Sequence, residues 1–350
     1  MGKKKVINLA LQGGGAHGAF GWGVLDKLLE DGRVDIEGVC GTSAGSMNAV
    51  VYAYGKMRGG VDRAREDLER FWKQISQFGN KLSPVQKMPW EAFSDNANMD
   101  NSLMFNVFES FIRVMSPYQF NPFNFHPLKV ILQDSIDFEE LHACKCSKLF
   151  ISATNVRTGK VKVFINEEIT MDVVLASACL PFLFQAIEIN GENYWDGGYM
   201  GNPALFPLFY HTDSRDVVVV HINPIERNEL PKKPNEIFNR VNEITFNSSL
   251  LKELRAIAFV NKMLDQGWIK DEFKDRLKHM LVHSIRADKA MCDLSVASKF
   301  ATDWKFLKKL RDRGRKVAQL WLDENYASLN KESTVDLYCE FLDIGSEHIG

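Results

Sequence analysis

Near the start of the chain, two short apolar runs each end in a glycine-rich turn, and each turn leads into a stretch with helical character. Val6-Ile7-Asn8-Leu9-Ala10-Leu11 precedes Gly13-Gly14-Gly15-Ala16-His17-Gly18. Ile36-Glu37-Gly38-Val39-Cys40 precedes Gly41-Thr42-Ser43-Ala44-Gly45, and an alanine-rich helical stretch follows from Ser46 to Tyr54. Strand, turn, helix, strand, turn, helix predicts a parallel α/β layer with both turns at the carboxyl ends of strands. Asp62 to Phe78 then reads as a charged amphipathic helix.

The pattern changes over Ser83 to Pro127, which is rich in Asn, Pro, Met and Phe. Its apolar positions, among them Leu103, Phe105, Val107, Phe108, Phe111 and Met115, recur at helical spacing. Such a stripe is ordinarily core, and its functional reading is a cap or an acyl-chain wall whose Met and Phe give an adaptable apolar surface. Strands resume at Leu149 to Asn155 and Lys160 to Ile165, joined as a hairpin at Thr158-Gly159. Ala186 to Ile189 and a half-strand ending at Asp196 form a second pair, and Val217 to Ile222 reads as a buried strand. The charged, proline-bearing stretch Glu226 to Pro234 is the expected boundary, with helices from Asn235 to Asp265 and from Val296 to Tyr326 beyond it.

Three segments carry candidate chemistry. The first turn presents backbone N–H groups to an anion, but Gly13-x-Gly15-x-x-Gly18 also fits a dinucleotide fingerprint, with Asp35 or Glu37 at the ribose, or a close-packed turn that binds nothing. The second has the form G-x-S-x-G, which chance supplies in about one chain in ten of this length. Its position between strand and helix is what lifts a serine hydroxyl clear of a sheet, with Gly41 and Gly45 needed where side chains would collide. A serine nucleophile also needs a base and a place for the oxyanion. Tyr194-Trp195-Asp196-Gly197-Gly198-Tyr199 supplies a carboxylate; read alone, Asp-Gly-Gly is a tight turn.

In this order the three segments resemble the patatin-like phospholipase family. Ala176-Ser177-Ala178-Cys179-Leu180-Pro181-Phe182 and Asn202-Pro203 extend the likeness. The resemblance covers about residues 5 to 225, and the remainder is similar to the helical tail of some bacterial members. It implies an α/β fold with a mainly parallel central sheet flanked by helices. The implied division is a catalytic domain at 5–225, with 83–127 as a cap or acyl-pocket insertion, and a helical C-terminal region at 226–350 packed on it. It further implies a lipid acyl hydrolase of phospholipase A or lysophospholipase type, working through a Ser–Asp dyad. Ser43 would be the nucleophile and Asp196 the base, with Gly13, Gly14 and Gly15 as the oxyanion hole and Gly18, Gly41, Gly45, Gly197 and Gly198 supporting the motifs. A phospholipid or other lipid ester is the implied substrate, and neither a metal nor an organic cofactor is expected.

Three rival readings stand beside this one. The chain order Ser43, Asp196, then His211 or His221 is also that of an α/β-hydrolase triad, although that fold places several strands before its elbow. A nucleotide-binding oxidoreductase accounts for the first turn but for neither Ser43 nor Asp196. An acyl-lipid binding or regulatory protein would keep the pocket without turnover. His17, the one histidine near the motifs in sequence, is expected to orient the loop through a local hydrogen bond.

Composition narrows the class. With 350 residues, 45% of them hydrophobic, the chain can bury a large core, and a formal net charge of -2 gives no global pull toward nucleic acid. The cysteines, Cys40, Cys144, Cys146, Cys179, Cys292 and Cys339, lack disulfide or zinc spacing and are expected as free thiols. The apolar run behind Lys3-Lys4-Lys5 is short for a signal peptide and no run reaches about 18 apolar residues, so a cytoplasmic protein is expected. Lys305, Lys308, Lys309, Arg311, Arg313, Arg315 and Lys316 form a basic helical stripe. Such a stripe is ordinarily a solvated face, and the sharper reading is peripheral contact with an anionic membrane.

Overall fold

A computed structural model describes residues 4–82, 110–112, 114–227, 229–274 and 276–341. Strand β1 (Lys5–Leu11) leads into α1 (Gly18–Asp31), and β2 (Val34–Gly41) into α2 (Ala44–Leu82), which is broken at Gly59 and Gly60. Short helices α3 (Pro117–Phe120), α4 (Pro127–Ser135) and α5 (Phe138–His142) precede the hairpin β3 (Lys148–Asn155) and β4 (Val161–Ile165). Next come α6 (Met171–Ser177), β5 (Ile187–Ile189), β6 (Glu192–Asp196), α7 (Phe206–His211) and β7 (Asp216–His221). The chain continues through α8 (Pro234–Asp265), α9 (Asp271–Lys274), β8 (Leu281–Arg286), α10 (Trp304–Asn325) and α11 (Leu337–Phe341).

Among the described residues these strands form one eight-stranded sheet in the order β5-β6-β3-β2-β1-β7-β8, with β4 on β3. Neighbours from β3 through β8 along that order are parallel, whereas β4, β5 and β6 pair antiparallel. The central strands are near-continuous apolar runs because helices cover both faces. Val218 and Val220 join the core of α1, α2 and α10, while Val217 and Val219 face Leu250 and Leu254 of α8. This is the expected α/β fold with a mainly parallel sheet, and it puts both glycine turns where β1 and β2 end.

The C-terminal region departs from the expected all-helical layer, because β8 pairs in parallel with β7 across the expected boundary. His283 and Ser284 interrupt the apolar pattern of that strand. His283 is nevertheless buried, its Nε2 2.9 Å from Asp216 Oδ1 and its Nδ1 3.0 Å from Thr334 Oγ1. The last long helix begins at Trp304 rather than Val296, since the Asp303 side chain caps it by accepting from Phe306 N–H at 3.1 Å. Val296–Phe300 is instead a 3-10 turn.

The three arginines of the basic stripe on α10 are engaged in ion pairs. Arg313 pairs with Asp293 at 2.8 Å, Arg311 with Asp312 at 2.8 Å, and Arg315 with Glu30 at 2.8 Å and with Asp26. No described helix is long and apolar enough to cross a membrane. Most of the 83–127 insertion, with the stripe from Leu103 to Phe108, lies outside the described residues. The part within them sits against the segment before β5: Gln185 Nε2 donates to Asn121 O at 2.8 Å, and Ala186 N–H donates to Tyr118 Oη at 3.3 Å.

Candidate active site

Ser43 stands between β2 and α2 with φ 55, left-handed backbone that a non-glycine residue adopts at a cost. The strain is held from several sides. Ser43 O accepts from Ser46 Oγ at 2.6 Å, Ser43 N–H donates to Ser177 Oγ at 2.9 Å, and Thr42 Oγ1 donates to Gly201 O at 2.6 Å. A Cβ on Gly45 would lie 2.2 Å from Leu11 O, so the elbow closes only over glycine there. Gly18, Gly41, Gly197 and Gly198 likewise leave no room for a Cβ. The positive end of the α2 macrodipole opens directly behind Ser43.

Asp196 ends β6 opposite Ala153 of β3 and is 1% exposed. Its backbone is fastened at both ends, N–H to Cys179 O at 2.7 Å and C=O from Thr154 Oγ1 at 2.9 Å. On the carboxylate, Oδ1 accepts Gly198 N–H at 2.7 Å, and Oδ2 has no hydrogen-bond partner. Burial pushes its pKa up to about 7, against the opposing pull of the Gly198 N–H, the neighbouring Ser43 hydroxyl and the Lys299 ammonium. Ser43 is thus a neighbour of the carboxylate, and no regular hydrogen bond joins its hydroxyl to Oδ2.

The first turn runs alongside the elbow, where a Cβ on Gly13 would stand 2.6 Å from Ser43 Cβ. Of the three expected oxyanion donors, Gly13 has its N–H committed to Asn202 Oδ1 at 2.7 Å. That narrows the expectation to Gly14 and Gly15, whose N–H groups, like that of Ala44 after Ser43, donate to no described protein atom. Gly15 has φ +57, and a Cβ there would lie 2.6 Å from Lys299 O. His17 is buried and held neutral by desolvation, with the Lys299 charge also disfavouring its protonation. Its partner is not local, because Nε2 lies 2.7 Å from Ser298 Oγ in the 3-10 turn before α10.

The geometry also bears on the rival readings. The His211 ring stacks on Phe150 and the His221 ring on Phe341, and neither has a described hydrogen bond to Ser43 or Asp196. Each of the two carboxylates that could meet a dinucleotide ribose has protein partners: Asp35 pairs with Lys56 at 3.2 Å, and Glu37 accepts from the N–H groups of Asp213 and Ser214 at 2.7 and 2.8 Å. Among the described residues no cluster of His, Cys, Asp and Glu could hold a metal ion.

A family model described as patatin-like phospholipase matches residues 9–209, more than half of the chain and every motif above. The chain belongs to the patatin-like phospholipase family. Solved structures also match the chain, at low similarity. VipD from Legionella pneumophila is 15% identical with a TM-score of 0.40, the match covering 96% of this chain and 73% of VipD. ExoU from Pseudomonas aeruginosa, solved in complex with SpcU, is 15% identical with a TM-score of 0.30, covering 91% of this chain and 53% of ExoU. The patatin-like chain thus spans about half the length of ExoU. No curated protein matches the chain.

Sequence reasoning passed over Ser177, Asn202, Asn223 and Lys299 as site residues. Ser177 and Asn202 lie in segments that carried the resemblance, so a signal was present without a role. Asn223 and Lys299 lie beyond the matched residues, and nothing local in sequence marks them.

Proposed function

We propose that this patatin-like protein is a serine acyl-ester hydrolase acting on lipids, of phospholipase A or lysophospholipase type, with its catalytic residues in 5–225. Ser43 Oγ attacks the ester carbonyl while its proton passes to Asp196. The oxyanion is stabilised by Gly14 and Gly15 N–H, with Ala44 N–H at the α2 terminus as a further donor. As the tetrahedral intermediate collapses, Asp196 returns the proton to the leaving alcohol oxygen. Water then repeats the sequence on the acyl-enzyme, releasing a fatty acid and restoring Ser43.

The observation that carries this reading is the buried Asp196 carboxylate, with one oxygen unpartnered and Ser43 its near neighbour. A carboxylate with a pKa of about 7 is basic enough to take a hydroxyl proton in a water-poor site, and about half of it is ionised at neutral pH. A lipid substrate is further supported by exposed apolar side chains on segments adjoining the site: Phe182 at 63%, Tyr118 at 59% and Met200 at 42% exposure.

Turnover of a phospholipid in mixed micelles and of a short chromogenic ester tests the proposal. Wild type should release fatty acid from both, and Ser43→Ala should lose at least about 10³-fold in kcat on either. Comparable turnover by folded Ser43→Ala would refute it.

A further inference from the structure

The C-terminal region reaches back to the glycine loop at a point that the family match does not include. The turn Val296–Phe300 lies against Gly15–His17 through two contacts already described, His17 with Ser298 and Gly15 with the Lys299 carbonyl. A third contact runs through side chains. Lys299 Nζ donates to Asn223 Oδ1 at 2.7 Å, and Asn223 Nδ2 donates to Gly13 O at 2.9 Å. Asn223 is itself fixed, its backbone N–H donating to Gln12 Oε1 at 3.0 Å.

Peptide planarity gives this relay a consequence at the site. In a trans peptide the carbonyl of one residue and the N–H of the next point in opposite directions within one plane. Asn223 holds Gly13 O, so the Gly14 N–H is turned the other way. Asn202 meanwhile holds Gly13 N–H, fixing the preceding peptide too. A glycine-rich loop has little intrinsic preference for either orientation, so an outside anchor decides which one is populated.

We propose that Lys299 is a positioning residue for the oxyanion loop: through Asn223 it fixes the Gly13–Gly14 peptide with Gly14 N–H turned toward the acyl oxyanion. The inference rests on the reading of Ser43 as nucleophile and Asp196 as base.

The charged surroundings are few enough to name. Lys299 faces Glu243 and the Phe246 ring from α8, Arg227 from the segment after β7, Asp196 from β6, and His17, which is neutral. Burial lowers the Lys299 pKa to about 8, with Glu243 the strongest opposing influence. Asp196 in turn faces Ser43, Gly198 N–H and Lys299, beside Cys179 and Tyr199, both pushed by burial up to about 12 and therefore neutral. The sign follows: loss of the Lys299 charge removes an influence that lowers the Asp196 pKa, so the carboxylate needed as base forms only at higher pH.

The test compares the full-length wild type with Lys299→Met, Lys299→Arg, Asn223→Ala and Ser43→Ala, each checked for folding by circular dichroism. kcat and KM for a short chromogenic ester are measured from pH 5 to 9. Lys299→Met should lower kcat about tenfold or more with KM within about threefold, and move the acid limb of the kcat profile upward. Lys299→Arg should keep the limb near its wild-type position. Asn223→Ala, which cuts the relay and leaves the charge, should lower kcat without moving the limb, and it carries the test if Lys299→Met fails to fold. Ser43-dependent activity with wild-type kcat and acid limb in Lys299→Met, or wild-type kcat in Asn223→Ala, overturns the inference. Wild-type activity that Ser43→Ala does not abolish overturns the underlying reading instead.

Discussion

At the scale of single residues, the account turns on one buried carboxylate. Asp196 is costly to keep charged: its pKa of about 7 in the folded chain lies above the ordinary value near 3.8, and burial is the cause. The fold therefore favours the protonated acid. With respect to this group, stability is greatest below the unfolded pKa and is lost as pH rises from about 4 through about 7, by up to about 4 kcal/mol. Asp196→Asn removes that penalty. It should raise the melting temperature at pH 8, change it far less at pH 5, and abolish ester turnover at both. A lower melting temperature for Asp196→Asn at pH 8 would show that the charge is stabilised by something other than the groups named here. Ser43, Asp196 and the motif glycines were legible in the sequence because each lies in a short contiguous motif whose residue types follow from its chemistry. Lys299 and Asn223 were not, because the hydrogen bond between them joins residues 76 positions apart and carries no local pattern.

At the scale of elements, the two strand-to-helix turns are one device. The Gly13 position touches the Ser43 side chain, and the Gly45 position touches the end of β1, so neither turn can relax without the other. Glycines in the chain divide accordingly. Gly32 ends α1 at φ +70 with only Leu29 O, 4.0 Å away, near the place of a Cβ, so Gly32→Ala should cost about 1 kcal/mol, the left-handed strain alone. Gly45→Ala, without left-handed strain, instead drives a Cβ to 2.2 Å from Leu11 O and should cost several times more, or prevent folding. Denaturant midpoints of the two variants check the contrast, and equal midpoints would contradict it. The expected helix from Val296 illustrates what periodicity misses: apolar spacing alone runs the pattern across the Asp303 cap, whereas the cap decides where the helix begins.

At the scale of the whole molecule, the sheet joins what the sequence divided. β7 lies before the expected boundary and β8 after it, and α8 covers the face of β7 opposite α1 and α2. A chain ending at residue 225 would expose one edge and one apolar face of β7 and would lack Lys299. It should be insoluble or inactive, as expression and ester turnover of that fragment would show; a soluble, fully active fragment would make the C-terminal region dispensable. The α/β class was legible because buried parallel strands read as apolar runs, whereas β8 was not, since His283 and Ser284 break its run. The central claim, a serine hydrolase whose nucleophile is Ser43, is tested most directly by a fluorophosphonate probe followed by mapping of the adduct by peptide mass spectrometry. One adduct per chain on Ser43, formed faster as pH rises through about 7 and absent from Ser43→Ala, is the result expected from the Asp196 pKa. An unlabelled wild type, or an adduct that persists in Ser43→Ala, would contradict the account.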